Sequence, residues 1–393
     1  MRILLLQDDI YLPSYAGGLK ATRKLMEALA ADGHDGGVVC PALTRSREGP
    51  NTQRAFVQEM TARGIRVQST EPNVFSYRHQ GVRVDALDFP APAEGRELVA
   101  RRIRELRPDW VLVTEDKHRF MLECALGKAP GRVVLLIQTV VQLPFGPLAV
   151  RADCKQSELF TSASAIIVIS DYLRRYIREH RGLECRVMQP PVYGDGPFAK
   201  PAGFGRGFIT LINPCDLKGL PIFTSLAREF PEHPFAAVPT WGADEAVLDT
   251  LRQLPNVRIL EPVDDIDEIF AQTSVLLVPS LWPESFGYVV VEAMLRGVPV
   301  LAGNVGGLPE AKLGVPFTLP VTPATRVDGR YVFPPQDVAP WVRALREMTR
   351  DAAAYERCSA ASRSAALKFI SSVNVASFER LFDSLRHSSG VPA

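Results

Sequence analysis

The 393-residue chain carries almost no surplus of charge: 45 lysines and arginines face 44 aspartates and glutamates, a formal net charge of +1. That balance argues against a nucleic-acid binder held by bulk electrostatics. Long hydrophobic runs are missing too. The opening apolar run, Ile3 to Leu6, ends in Gln7-Asp8-Asp9, too short for the core of a signal peptide or for a membrane helix. No transmembrane segment is expected. Paired cysteines are absent: Cys40, Cys124, Cys154, Cys185, Cys215 and Cys358 are scattered, with no CxxC and no paired histidines nearby. They read as reduced thiols of a cytoplasmic protein without structural zinc. No repeat at solenoid spacing and no low-complexity tract occurs.

What is present is a soluble globular composition, 46% apolar and 23% charged, in a chain too long for one ordinary core. Two domains are expected. In the first, buried strands at Arg2–Leu6, Val38–Cys40, Ile65–Gln68, Trp110–Thr114, Val133–Ile137, Ala165–Ser170 and Val187–Gln189 alternate with helical stretches at Leu19–Ala31, Ala55–Ala62, Glu97–Leu106, Phe120–Leu126 and Tyr172–His180. Ser170 or Asp171 is placed to cap the last of these. Such alternation implies a parallel sheet with helices on both faces. The stretch from Pro190 to Gly205 is rich in proline and glycine and reads as an interdomain linker, residues 193–206. A second α/β set then opens at Phe208–Ile212. The expected domains are 1–192 and 207–370.

One stretch organises the second set. Val275–Val278 is an apolar run ending at Pro279-Ser280. A loop, Trp282-Pro283-Glu284, leads into a helix-compatible run from about Phe286 to Arg296. Gly297 and Pro299 stop that helix, and Val298–Ala302 is the next buried strand. A loop at the carboxyl end of a strand, beside a helix N-terminus, is a place where anionic ligands bind. Glu292 is the oddity, a carboxylate inside Val-Val-Val-Glu-Ala-Met-Leu. Spacing alone admits two readings: a solvent-facing glutamate on a half-buried helix, or a carboxylate that with Glu284 brackets a polyhydroxylated ligand.

Glu284-Ser285-Phe286-Gly287 followed by Glu292, then Gly297-Val298-Pro299-Val300 and Gly306-Gly307-Leu308-Pro309-Glu310, resembles the signature of retaining nucleotide-sugar glycosyltransferases of family 4. The resemblance implies the GT-B fold: α/β, two Rossmann-like doubly wound domains facing a central cleft, with the last helix (about 371–393) crossing back to the first domain. It also implies transfer of a sugar from a nucleoside-diphosphate sugar to a small-molecule acceptor by same-face substitution, with no cofactor and no metal. An epimerase or hydrolase on the same fold, or a catalytically silent sugar-nucleotide binder, are the alternatives.

The resemblance implies roles for particular residues. Lys218, in Asn213-Pro214-Cys215-Asp216-Leu217-Lys218-Gly219, would hold the donor diphosphate and, with Glu284, act catalytically. Glu292 would bind the ribose, and Ser285, Phe286, Gly287 and Tyr288 the sugar and phosphate end. Gly17 and Gly18 match a glycine-rich loop near the phosphates, Trp241-Gly242 the loop beside the base, and Val263 the backbone that holds it. Where many relatives carry an arginine before Asn213, this chain has none. Where many carry a histidine near the end of the Val133–Ile137 strand, Gln138 and Thr139 stand. On the acceptor side Tyr15, Glu115, His118, Thr139 and Gln142 are the candidates. Asp265-Ile266-Asp267 has a DxD form but reads as a helix start rather than a metal site.

Overall fold

The computed structural model describes residues 1–14, 16–42, 52–88, 92–114, 116–117 and 119–389. The chain divides into two compact units, Met1–Val192 with Val373–Ala393, and Tyr193–Ser372.

In the first unit the elements run β1 (Arg2–Leu6), α1 (Gly17–Ala31), β2 (Asp35–Pro41), α2 (Thr52–Ala62), β3 (Gln68–Glu71), β4 (Val74–His79), β5 (Val82–Leu87), α3 (Pro92–Leu106), β6 (Trp110–Val113), α4 (Met121–Lys128), β7 (Val133–Ile137), α5 (Cys154–Leu159), β8 (Ala165–Val168), α6 (Asp171–Arg181) and β9 (Arg186–Val187). They form a nine-stranded sheet ordered β3-β4-β5-β2-β1-β6-β7-β8-β9. The pairs from β5 to β9 are parallel, and β4 alone runs antiparallel to its neighbours. Strands β6 and β7 are buried at every position, as central strands covered on both faces must be. Ser170 caps α6, its hydroxyl accepting from Leu173 N at 3.1 Å, and Gly182 ends the helix in the left-handed region.

The β4–β5 hairpin is absent from the sequence reading, and the strand expected at Ile65–Gln68 starts only at Gln68. Its turn is Gln80-Gly81, both at positive φ, with His79 facing Val82. That is the geometry of a two-residue primed turn, carried here by a glutamine rather than the asparagine or aspartate that announces such turns.

The second unit contains β10 (Phe208–Ile212), α7 (Leu220–Glu229), β11 (Phe235–Val238), α8 (Glu245–Arg252), β12 (Val257–Ile259), α9 (Asp267–Phe270), β13 (Thr273–Val278), α10 (Tyr288–Leu295), β14 (Val300–Gly303), α11 (Leu308–Ala311), β15 (Thr318–Leu319), the hairpin β16 (Thr325–Val327) with β17 (Arg330–Val332), α12 (Ala339–Arg350) and α13 (Ala352–Ile370). Its sheet is ordered β12-β11-β10-β13-β14-β15 and is parallel throughout. The strand order reverses between β10 and β13, which is where ligands of open α/β sheets bind. The segment read as a linker is packed on this unit: Tyr193 is buried, Phe198 lies under Arg296, and Phe204 meets Tyr355 edge-on. The last helix, α14 (Ala376–Ser389), belongs to the first unit. Its Phe378, Leu381 and Phe382 enter that unit's core, Phe382 stacking on Trp110 at 5.9 Å. No helix among the described residues is long and apolar enough to cross a membrane.

Lys312 is 1% exposed, and its ammonium donates to the carbonyl of Val300 at 2.6 Å. Burial pulls its pKa from 10.5 down to about 8. The unfolded chain therefore binds more protons than the folded one between those two values. In that window the lysine's contribution to stability rises with pH, because the folded state no longer holds a charge away from water. Relative to Lys312→Met, the native chain should gain about 2 kcal/mol between about pH 7.5 and pH 9.5. Urea midpoints of both proteins across that range measure this, and a pH-independent difference would contradict it.

Candidate functional site

In the second unit, the loops after β10 and β13 are locked together at the backbone. Leu281 N donates to Leu217 O at 2.9 Å. Gly219 sits at φ 81°, and a Cβ there would lie 2.0 Å from Pro279 O. Only glycine allows this approach. The lock brings the Lys218 ammonium onto a carboxylate oxygen of Glu284, which also accepts from the Ser280 hydroxyl at 2.7 Å. Both side chains keep some solvent contact, 20% for Lys218 and 15% for Glu284. The Lys218 ammonium also lies 5.8 Å from the ring centre of Trp241, a residue 60% exposed.

Asn213 ends β10 at φ 61°, a conformation that asparagine tolerates better than most residues. Its Oδ1 accepts from Gly242 N at 2.8 Å, which ties it to the Trp241-Gly242 loop. A Cβ on Gly242 would press on Cys215 Sγ at 2.8 Å. The Asn213 Nδ2 is buried and has no hydrogen-bond partner among the described residues. A buried donor left unmade is costly, and a ligand acceptor would satisfy it.

Gly306 and Gly307 support the same loop from below. A Cβ on Gly306, at φ 61°, would meet Glu284 O at 2.3 Å, and one on Gly307 would meet Ser285 O at 2.5 Å. Gly307 N donates to Glu284 O at 2.6 Å. Gly287, at φ 106°, then starts α10, whose residues are nearly all buried. Glu292 is 8% exposed on it, so the solvent-facing reading of this residue is excluded. The Phe286 ring stacks on Phe369 at 5.8 Å inside the core, leaving its backbone rather than its ring to face a ligand. Tyr288 is likewise buried and meets Tyr193 edge-on at 6.0 Å. Burial, reinforced by Tyr288 and Glu292, pushes the Tyr193 phenol well above its usual range. Its hydroxyl has no partner among the described residues.

Thus Asn213, Lys218, Trp241, Gly242 and Glu284 come together, with Ser285 and Gly287 adjoining. Val263 lies half-buried in the loop after β12. Sequence reasoning missed Ser280 and Tyr193. The first stands four residues before Glu284 and was legible as a loop hydroxyl, whereas nothing near Tyr193 in the chain marks it.

The first unit's candidates gather at its own strand reversal, between β1 and β6. Gly17 and Gly18 form the first turn of α1 rather than a loop. A Cβ on Gly18 would have ordinary clearance, its nearest neighbour being Gln138 Nε2 at 3.6 Å, so the fold itself does not demand glycine there. Gln138 Nε2 donates to Gly18 O at 3.1 Å. Thr139 and Gln142 line a pocket at the carboxyl ends of β6 and β7, shared with Asp116, Arg119, Gln156 and Phe160. Tyr15, Glu115 and His118 lie outside the described residues. Among the described residues no group of three or more histidines, cysteines, aspartates or glutamates is placed to hold a metal.

Residues 16–190 match the family model described as glycosyl transferase 4-like domain, and residues 228–351 match that described as glycosyl transferases group 1. A D-inositol 3-phosphate glycosyltransferase of Streptomyces avermitilis is 40% identical over 101 residues, 25% of this chain and 18% of that protein. Matches to the first curated relatives thus span only 13% and 18% of those relatives' own lengths. Among solved structures, sucrose-phosphate synthase from Thermosynechococcus elongatus superposes with a TM-score of 0.70 at 16% identity, covering 99% of this chain and 100% of that one. The Anabaena protein HepE, crystallised with UDP-glucose, superposes with a TM-score of 0.66 at 17% identity over the same shares.

Replacing Gly306 by alanine forces the Glu284 loop to move or strains it. Gly306→Ala should destabilise the second unit by about 2 kcal/mol or more, read from urea unfolding. A change under about 0.5 kcal/mol would show that the loop yields freely.

Proposed function

This chain belongs to the group 1 glycosyltransferases of the GT-B fold, and from that premise we propose that it is a retaining enzyme of family 4. It takes a sugar from a nucleoside-diphosphate donor and transfers it to a small-molecule acceptor without a metal. The observation that carries this reading is the Lys218 ammonium held against Glu284 between the carboxyl ends of β10 and β13. It sits beside a buried asparagine amide that lacks a partner among the described residues.

Lys218 turns from Glu284 to the donor diphosphate and stabilises the charge that grows on it as the glycosidic bond breaks. Glu284, released, accepts hydrogen bonds from the sugar hydroxyls, and the amides from Ser285 to Tyr288 approach the phosphates. Glu292 takes the ribose hydroxyls. Because the departing phosphate accepts the acceptor's proton on the same face, no protein base is needed. Gln138 in place of a histidine is consistent with that. The UDP-glucose bound to HepE supports a donor of this class. The six free cysteines fit a reducing compartment, the cytoplasm.

A panel of UDP, GDP, ADP, CDP and TDP in thermal-shift measurements tests the donor site. One of them at about a hundred times its dissociation constant should add about 2.7 kcal/mol. No response to any would sink the assignment. With the matching sugar donor, Lys218→Ala should lower kcat about 10²- to 10³-fold. Glu292→Gln should mainly raise the donor KM, about tenfold. EDTA should leave turnover unchanged, and proton NMR of the product should show the donor's anomeric configuration. Nucleotide binding without diphosphate release for any acceptor would leave a silent binding protein instead.

A further inference from the structure

The two oxygens of the Glu284 carboxylate are unequally engaged. Oε1 accepts from the Lys218 ammonium and from the Ser280 hydroxyl, the latter at 2.7 Å. Oε2 accepts from no group among the described residues. An ionised carboxylate only accepts, and each of its oxygens has room for two donors. One oxygen is therefore filled and the other open.

The two donors on Oε1 differ in what holds them. Lys218 carries its ammonium on a flexible four-carbon stem, and 20% of its side chain is exposed. Ser280 is 1% exposed, so its hydroxyl has no water to turn to. Glu284 is its hydrogen-bond partner, and breaking that bond would strand a buried donor. The backbone on either side of the contact is fixed as well. Just after Ser280, Leu281 N donates to Leu217 O at 2.9 Å, and Ala324 N donates to Leu281 O at 2.8 Å. A Cβ on Gly303 would come within 3.2 Å of the Ser280 carbonyl. At the other end Gly307 N donates to Glu284 O at 2.6 Å. None of these contacts uses the Lys218 side chain.

We propose that Ser280 is a positioning residue of the transfer site: it keeps Glu284 aimed when Lys218 leaves for the donor diphosphate, so that Oε2 accepts from hydroxyls of the sugar. The inference rests on the glycosyltransferase reading and deepens it, because it divides the donor between two groups. Lys218 reads the diphosphate, which every nucleoside diphosphate carries. The Ser280–Glu284 pair reads the hydroxylated sugar, which only the conjugate carries. Ser280 itself touches no substrate, and its effect passes through Glu284.

That division sets the test. Isothermal titration of the full chain with UDP, GDP, ADP, CDP and TDP, and with their glucose conjugates, gives the ratio of conjugate to nucleotide affinity. Ser280→Ala should weaken the conjugate about tenfold while the free nucleotide changes less than about threefold. In a Glu284→Ala background Ser280→Ala should cost less than about twofold further, because the group it positions is gone. Lys218→Ala should weaken nucleotide and conjugate alike. A serine that only supports the loop gives another pattern: both ligands lose equally, or the loss recurs undiminished in Glu284→Ala. Either result overturns the proposal. A cooperative thermal melt shows that each variant folds. Where Ser280→Ala does not melt cooperatively, Ser280→Cys, close in volume but a weak donor, carries the comparison. Failure of every nucleotide to bind removes the donor reading and this inference with it. Nucleotide binding with the parent's affinity ratio retained in Ser280→Ala removes this inference alone.

Discussion

The donor-side geometry depends on one close approach of backbone to backbone. The loop after β10 and the loop after β13 touch where Gly219 meets Pro279 and Leu281 meets Leu217. Without that contact Lys218 and Glu284 would be two loop charges on separate strands. With it, each is the other's counter-ion. The pair is half-buried, with 20% and 15% of its side chains exposed. Its value is orientation, since a ligand phosphate meets a lysine already aimed at the strand ends.

The first unit ties its strand reversal largely through neutral donors. At its strand reversal a side-chain amide, Gln138, bonds to the Gly18 carbonyl, and the carboxylate of Asp116 is consumed by amides. One unit thus presents a charge pair at its reversal point. The other presents hydrogen bonds together with the Lys117 ammonium set between Asp8 and Asp9.

Much of this was legible in the chain because buried parallel strands are short apolar runs, and loops at their carboxyl ends carry the polar residues. The motif from Glu284 to Glu292 and the Lys218-Gly219 pair could be placed on loops by that logic alone. What was not legible depends on distance in space. Tyr193 has no pattern around it, since it owes its surroundings to Tyr288 and Phe369, far away in sequence. Spacing left the burial of Glu292 undecided because a helix apolar on all sides leaves no solvent face to read. The β4–β5 hairpin escaped because its turn uses a glutamine at positive φ. The glycines at 306 and 307 were noticed as a motif, but their reason, the lack of room for a Cβ against Glu284 and Ser285, appears only in three dimensions.

The docking of α14 has a consequence for how the protein is made. Phe378, Leu381 and Phe382 complete a core that also contains Trp110 and residues of β1, β2, β4 and β5. Yet they follow the 180 residues from Tyr193 to Ser372 in the order of synthesis. At ordinary ribosomal rates that interval lasts on the order of 10–40 s. For that time the nascent first unit has all its strands and an open apolar face. The second unit, contiguous in the chain, can close while the first still waits.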